Sequence, residues 1–585
     1  MNTDRETRSN KLLAPLLIAA LYFFAVGFTN AHFMADSGGY VVSILAYSGV
    51  REYVVENPVV ADYRSENAFW EFGHLFWRPL GFLLFKVFAP LSSFVVGSDP
   101  AHNVSFLLMS VNFVAGLVSA ILLCALIYRL TGRRWVALFV SIGFIFSHAF
   151  LNFTQTGSSY IPGLAFLITA LYFLLKDKGR LSPLTAIGGG LACAGAITLW
   201  APYVLVIPGT IVAPLVLFEL NGREKKFVLY AAAAFFMATG IPYLIVMASV
   251  GVHTPTDLRD WIAASSHGVR TSGLARMLFG FPRSFIHMGN DGLLFKRFLL
   301  NDPFNPVTAT DLVRLSLWKL VLFYLVLGSL AIGLFISAAR RRLLWLLLTA
   351  GPLIFFAIRF DGGAVERYLP IYAVIFLSLA WILSEVRVPR LLKIVPVVFF
   401  GFAVVVNVSV MARVVLHRQK QRTAERVQAI VPQLKPRSWL VTTHLQDDLV
   451  NFQASFPFEP VNRHNTYHVY PLVVLNSDQA RRWREEFASN MLEAWAKGGD
   501  AWLSARLFSP KPQAAWNWVE GDDRRVPWSD IHEFFSQFQT GTVAGGADGF
   551  VLLEKSEANR NLLNTIKDAN IGSGGVSSAM SAQRE

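Results

Sequence analysis

Asp36 stands in the segment His32-Phe33-Met34-Ala35-Asp36-Ser37-Gly38-Gly39-Tyr40, just after an apolar run from Leu12 to Phe28. A carboxylate at the edge of a membrane span is costly to keep there without a partner or a task. Two tasks suit this one. It can take the proton of a hydroxyl as that oxygen attacks, or it can cap the helix predicted to begin at Ser37 to Ser43. Cationic groups follow at two distant places. Gly73-His74-Leu75-Phe76-Trp77-Arg78-Pro79-Leu80 sets His74 and Arg78 about one helical turn apart, so both can share a face. Glu366-Arg367-Tyr368-Leu369-Pro370 opens a late apolar run, with Arg359 and Asp361 shortly before it. The planar donor fork of arginine matches phosphate oxygens, although arginines also anchor span ends by snorkelling.

Other polar residues are less pointed. Glu52, Glu56, Asp62, Glu66 and Glu71 read as solvated loop charges. His253, Asp257, Arg259, Asp260, His267, His287, Asn290 and Asp291 occupy one long loop, read as a lid over a cavity. His444, Asp447, Asp448, His464 and His468 occupy the C-terminal part. Neither group has the tight spacing of a metal centre, so a divalent metal is conceivable but the sequence gives it no support. Asn103, Asn152 and Asn407 begin glycosylation sequons but lie at or within apolar runs, where they read as chance matches. Cys124 and Cys193 sit inside apolar runs and read as core thiols.

The elements that must position these groups are membrane spans. The 585 residues are 54% hydrophobic and only 16% charged, against about 25% charged in soluble domains. A chain this long and apolar is a polytopic membrane protein. Its formal charge of +13 does not call for nucleic acid, because much of the basic excess falls in short loops: Arg133-Arg134, Lys176 to Arg180, Arg223 to Lys226 and Arg340 to Arg342. About eleven spans are predicted, near 12–29, 104–129, 135–151, 160–175, 184–200, 203–220, 227–249, 314–338, 343–358, 367–385 and 391–412. The first lacks a small-residue cleavage site and reads as a retained anchor. With the N-terminus inside, every basic loop falls inside. Long loops at about 30–102 and 250–313, and the C-terminal part, then fall outside. The run 74–96, interrupted by Arg78, Pro79, Lys86 and Pro90, reads as an amphipathic or re-entrant helix at the outer interface.

The domain organisation expected is a membrane module over 1–415, a small extracytoplasmic α/β domain over 416–570 and a disordered tail over 571–585. Apolar runs at Trp439 to Thr442, Tyr470 to Leu475, Ala501 to Ala505 and Gly549 to Leu553 suit strands. Ser477 to Lys497 and Ser529 to Gln537 suit helices between them.

Taken in order, several of these segments resemble the GT-C superfamily of membrane glycosyltransferases, in particular bacterial relatives of the protein O-mannosyltransferases. The resemblance rests on Asp36 after the first span, then Trp77-Arg78-Pro79-Leu80. It continues with Gly97-Ser98-Asp99-Pro100 and His102 leading to Asn112, Leu126-Ile127-Tyr128-Arg129-Leu130-Thr131-Gly132-Arg133, and Glu366-Arg367-Tyr368-Leu369-Pro370. It covers about residues 10–412. The resemblance implies a sugar moved, with inversion, from a polyprenyl-phosphate donor to a glycan, lipid or protein acceptor of the cell envelope. It also implies an enzyme of the bacterial inner membrane with its site on the outer face. It makes Asp36 the catalytic base. Arg367, Arg78 and Arg359 become ligands of the donor phosphate, and His74, Tyr40, Tyr368 and Gln155 become substrate contacts. The chain departs from the family in Asn152-Phe153-Thr154-Gln155-Thr156-Gly157-Ser158-Ser159-Tyr160, where many members carry a second carboxylate. It departs again in Ile197-Thr198-Leu199-Trp200, where many carry a lysine. The competing function is a transporter or flippase, which should show two related halves with broken helices; no such halves are visible.

Overall fold

A computed structural model describes residues 2–32, 34, 36–50, 69–175, 182–218, 222–265, 273–289, 294–304, 306–336, 340–418, 431–443, 467–471, 477–512, 526–544 and 549–568. Glu52, Glu56, Asp62, Glu66, the basic cluster 176–180, His267, Asn290, Asp291, His444, Asp447, Asp448, His464 and the tail 571–585 lie outside these residues. The chain forms two compact units. One comprises Met1–Arg51, Tyr63–Gly292 and Val313–His417; the other takes Arg418–Glu585 together with Leu293–Leu312 and Glu52–Asp62.

The first unit is helical. Among the described residues, seven helices are long and apolar enough, by length and composition, to cross a membrane. They are Trp77–Val96, Pro100–Thr131, Lys225–Ser249, Ala309–Ile336, Arg340–Arg359, Val365–Ser384 and Arg390–Met411. Shorter apolar helices cover Leu13–Phe28, Ser37–Tyr47, Arg134–Ile145, Tyr160–Leu175 and Pro183–Leu199. Local chemistry sets several ends. Asp99 caps the Pro100–Thr131 helix by accepting from the Ala101 amide at 2.9 Å, Pro100 needs no amide partner there, and Gly132 ends the helix in the left-handed region at φ 67°.

Three expectations need correction. The segment at 203–220 is not one span. Pro202, Pro208 and Pro214 each begin a new piece, and the chain runs as short turns at Ala201–Leu205, Ile207–Ile211 and Ala213–Leu217. Among the described residues the loop at 30–102 carries the helices Ser37–Tyr47 and Trp77–Val96, and the latter runs unbroken for 20 residues. Pro79 falls in its first turn, where amides have no helical partner. Arg78 is neutralised at its buried end, and the remaining face shows Leu83, Val87, Leu91, Phe94 and Val95. The expected span at 135–151 breaks after Ile145 and resumes as the short His148–Phe153 helix.

Leu369–Ser384 is the axis of this unit, buried at every position from Leu369 to Leu383. An aromatic core surrounds it. Phe144 meets Phe150 at 4.1 Å between centroids, Phe285 stacks on Tyr372 at 4.5 Å, and Phe376 meets Phe400 at 5.3 Å. The sequon asparagines are buried and bonded: Asn407 donates to the Phe146 and Phe285 carbonyls, Asn152 accepts from the His32 amide, and Asn103 accepts from Ser92. The first and last helices are joined at their ends. The Asn30 amide donates to the Met411 carbonyl at 2.9 Å, Thr29 bridges Ala412, and the Arg413 guanidinium donates to the Thr29 carbonyl.

The second unit holds a five-stranded sheet of order β2-β1-β3-β5-β4: β1 Ser438–Thr442, β2 Tyr467–Pro471, β3 Ala501–Ser504, β4 Thr540–Ala544 and β5 Phe550–Leu553. β1 lies parallel to β2 and β3, while β5 runs antiparallel to β3 and β4. Trp483, Phe487 and Met491 of the Ser477–Ala496 helix pack with Val441, Leu503 and Phe535. β2 begins three residues before the strand expected from Tyr470, and β4 has too few apolar residues to announce itself.

Helix packing in the first unit relies on small residues. Gly190 faces Ala231 so closely that a Cβ would fall inside contact distance of its carbonyl oxygen, whereas Gly240 has nothing within 4 Å. Gly190→Ala is expected to destabilise the detergent-purified protein by about 1–3 kcal/mol, and Gly240→Ala to leave it unchanged or slightly firmer. Thermal unfolding of both variants checks this; equal effects would disprove the close helix seam.

Candidate functional site

Asp36 occupies the N-cap position of the Ser37–Tyr47 helix, at φ −75° and ψ 4°, yet its side chain bonds no helix amide. Capping is therefore not its work. Its Oδ2 instead accepts from the Tyr160 hydroxyl at 2.5 Å, and Oδ1 has no hydrogen-bond partner among the described residues. Ser37 beside it fixes the backbone, donating to the Met34 carbonyl and accepting from the Gly157 amide at 2.9 Å.

Tyr160 begins the Tyr160–Leu175 helix and is buried. Its ring lies 4.6 Å from Trp200, 5.0 Å from Phe153 and 6.2 Å from His74. The Tyr203 hydroxyl donates to the Tyr160 carbonyl at 2.8 Å and holds that helix start in place. The guanidinium of Arg367 sits 5.8 Å from the Trp200 ring and 5.0 Å from that of Phe360. Asp36 and Arg367, 331 positions apart in the numbering, thus meet one aromatic wall made of Tyr160 and Trp200.

Arg367 is held but not saturated. Asp361 Oδ2 lies 3.7 Å from Nη2, and Nε is buried with no hydrogen-bond partner among the described residues. The turn that carries Asp361 is tightly built. Asp361 adopts φ 46°, a region aspartate tolerates better than most residues. The Tyr368 hydroxyl donates to the Gly362 carbonyl at 2.6 Å. Gly280 packs against that same carbonyl where no Cβ could fit. Glu366 lies within electrostatic reach of Asp361, Arg367 and Asp36. Tyr160 in turn feels Asp36, Tyr40 and Glu366. A second carboxylate therefore stands near Asp36, but it comes from the Val365–Tyr368 turn and not from the loop before Tyr160.

The remaining expected site residues divide. Tyr40 and His74 are together in a buried layer: the Tyr40 hydroxyl is 3.2 Å from His74 Nε2, and His74 Nδ1 is 2.7 Å from Ser159 Oγ. Arg78 joins them, its guanidinium 5.0 Å from the Tyr40 ring. His74 and Arg78 do not share a helix face, since His74 ends the Phe72–His74 turn and Arg78 lies in the next helix; they share Tyr40 as a neighbour. Arg78 is fully buried, with Nη1 in an ion pair with Glu71. Tyr368 is likewise fully buried, stacked on Phe281 at 4.8 Å, and supports the Asp361 turn through Gly362. Gln155 donates to Thr29 Oγ1 and to the Leu151 carbonyl, joining the end of the first helix to its neighbour. Arg359 is exposed, its guanidinium 5.7 Å from the Phe355 ring.

Tyr160, Trp200 and Glu366 are the residues the sequence reading passed over. A signal for the first two exists. Tyr160 opens one apolar helix and Trp200 follows the end of the next, Pro183–Leu199, so an antiparallel pair brings them to one end. Among the described residues, no group of three histidine, cysteine or acidic side chains is arranged to hold a metal ion.

No protein-family model and no curated protein matches the chain. Solved structures do. The chain is similar to ArnT from Cupriavidus metallidurans bound to undecaprenyl phosphate, with a TM-score of 0.46, 12% identity, and 94% of this chain and 98% of that one covered. ArnT in the apo state aligns with a TM-score of 0.40 and 12% identity over 95% and 99% of the two chains. The Archaeoglobus fulgidus oligosaccharyltransferase in complex with zinc and sulfate aligns with a TM-score of 0.47 and 11% identity, over 92% of this chain and 73% of its own.

Proposed function

We propose that this protein is an inverting membrane glycosyltransferase that moves a sugar from a polyprenyl-phosphate donor to a glycan, lipid or protein acceptor of the cell envelope. In this reading the site and the second unit lie on the outer face of a bacterial inner membrane. The observation that carries it is the pairing of an uncapped carboxylate with an unsaturated guanidinium on one aromatic wall.

The step follows from those atoms. The acceptor oxygen attacks the anomeric carbon while its proton passes to Asp36 Oδ1. The bond from that carbon to the phosphate oxygen breaks, and its electron pair leaves on the phosphate. Arg367 receives the growing negative charge through its fork of donors. The amino end of the Leu369–Ser384 helix, two residues beyond Arg367, adds its positive dipole. Tyr160 orients Asp36 and keeps Oδ2 occupied, which leaves Oδ1 for the acceptor. Trp200 and Tyr160 are buried against each other and hold the carboxylate and the guanidinium in place. The buried layer of Tyr40, His74, Arg78 and Glu71 braces the wall from behind. Attack opposite the departing phosphate inverts the anomeric centre.

Release of polyprenyl phosphate from a labelled donor by purified protein tests the reading. Asp36→Asn is expected to lower turnover by roughly a hundred- to ten-thousand-fold, with folding and lipid binding retained; full activity in that variant would remove Asp36 from the mechanism. Appearance of intact donor in the opposite leaflet, without release, would instead favour a transporter. Arg367→Gln is expected to cost about a hundred- to a thousand-fold. Arg367→Lys should recover only part of that, because an ammonium lacks the planar fork. Steady-state kinetics on both variants check this, and complete recovery by lysine would show that the fork is not needed.

A further inference from the structure

A second polar cluster lies in the first unit, outside the groups used above. It gathers His32, His148, Arg283, His287 and Lys319 from four separate segments. His148 Nδ1 lies 2.9 Å from the Arg283 carbonyl, so it must donate there, since a carbonyl only accepts. His148 Nε2 then accepts from His287 Nδ1 at 3.4 Å. The ring of His32 lies 5.1 Å from that of His287. Lys319 is buried and donates to the His287 carbonyl at 2.7 Å; it has no carboxylate partner among the described residues. The His287 backbone is fixed by Asn407, which accepts its amide at 2.8 Å.

This geometry does not suit a metal. Two facing ring nitrogens are spent on each other, and the rings do not converge on a point. The charges all have one sign. The groups that act electrostatically on His287 are His148, His32, Lys319 and Arg283, with no carboxylate among them. Burial and these neighbours hold its imidazole well below the ordinary range and so neutral. His287 Nε2 makes no hydrogen bond among the described residues. A buried ammonium with one carbonyl partner keeps two donors in hand. A buried cation without a counter-charge is expensive. An anion placed here would offset the mutual repulsion, let His287 take a proton, and turn Nε2 into a further donor.

We infer that His32, His287 and Lys319, braced by His148 and Arg283, form a phosphate-binding subsite separate from Arg367. The ligand class is a phosphate group, carried by a lipid headgroup or free. The subsite stands whether or not sugar transfer is the activity, because binding needs no donor and no Asp36.

The test is the thermal stability of the purified full-length protein in detergent. It is titrated with inorganic phosphate, with dihexanoyl phosphatidate, and with dihexanoyl phosphatidylcholine as the headgroup control. Saturable stabilisation by phosphate and phosphatidate supports a site that reads the phosphate itself, and stabilisation by phosphatidate alone assigns the ligand to a lipid. Binding should be tighter below the ordinary histidine range than above it, since the anion favours the protonated ring. Lys319→Gln should weaken binding roughly tenfold or more. His287→Asn should remove the pH dependence. Lys319→Arg guards against misfolding, since it keeps the cation and should keep the response. Asp36→Asn should bind phosphate like the parent, which separates this test from that of sugar transfer. No saturable response in the parent protein, equal stabilisation by phosphatidylcholine, or a response unchanged in both Lys319→Gln and His287→Asn would overturn the subsite.

Discussion

The hydrogen bond from Tyr160 to Asp36 is the contact on which the rest of the site depends. A carboxylate at a membrane edge needs a partner, and the nearest one in sequence is the helix it precedes. Here the helix amides are left alone and a phenol 124 residues away supplies the bond. That choice leaves one carboxylate oxygen available. It also ties the oxygen's position to the Tyr160–Leu175 helix, and through the Tyr160–Trp200 contact to the end of Pro183–Leu199 and the cation beyond it.

The cation is positioned by backbone and not by a salt bridge alone. Gly280 and Gly362 let two segments approach until only hydrogen atoms fit between them. Tyr368 seals the turn from beneath. Arg367 therefore issues from a rigid base that continues into a helix buried from Leu369 to Leu383. Asp361 alone, at 3.7 Å and partly open to water, would add little. Rigidity here substitutes for a tight ion pair and leaves donors unspent.

Much of this was legible in the sequence, and the misses have physical causes. Asp36 and Arg367 stood out because charge beside long apolar runs is rare. Arg78 stood out for the same reason, and its partner Glu71 was hidden because it lies seven residues away across a turn, outside the helical spacings that reveal ion pairs. Tyr368 looked like a site residue because it adjoins Arg367, but neighbours in a tight turn point in different directions. The break at 203–220 was written in Pro202, Pro208 and Pro214, and the apolar content of the run concealed it. Trp77–Val96 runs unbroken through the charges and prolines that marked it in the sequence, because its arginine is paired and its first proline sits where a helix tolerates one. The Tyr160–Asp36 bond and the histidine cluster join segments too distant for any periodicity to connect.

The junction between the first and last helices bears on how the protein is made. Asn30 and Thr29, which lead into the Asp36 segment, meet the backbone of Met411 and Ala412 and the guanidinium of Arg413. A chain emerging from the ribosome can hold the Asp36 segment once Gly157 and Tyr160 are made, but its junction with the last helix waits for residues nearly four hundred positions on. Contacts of such sequence separation form late. That junction is thus among the last parts of the membrane unit to close, and it completes a segment whose carboxylate Tyr160 already holds.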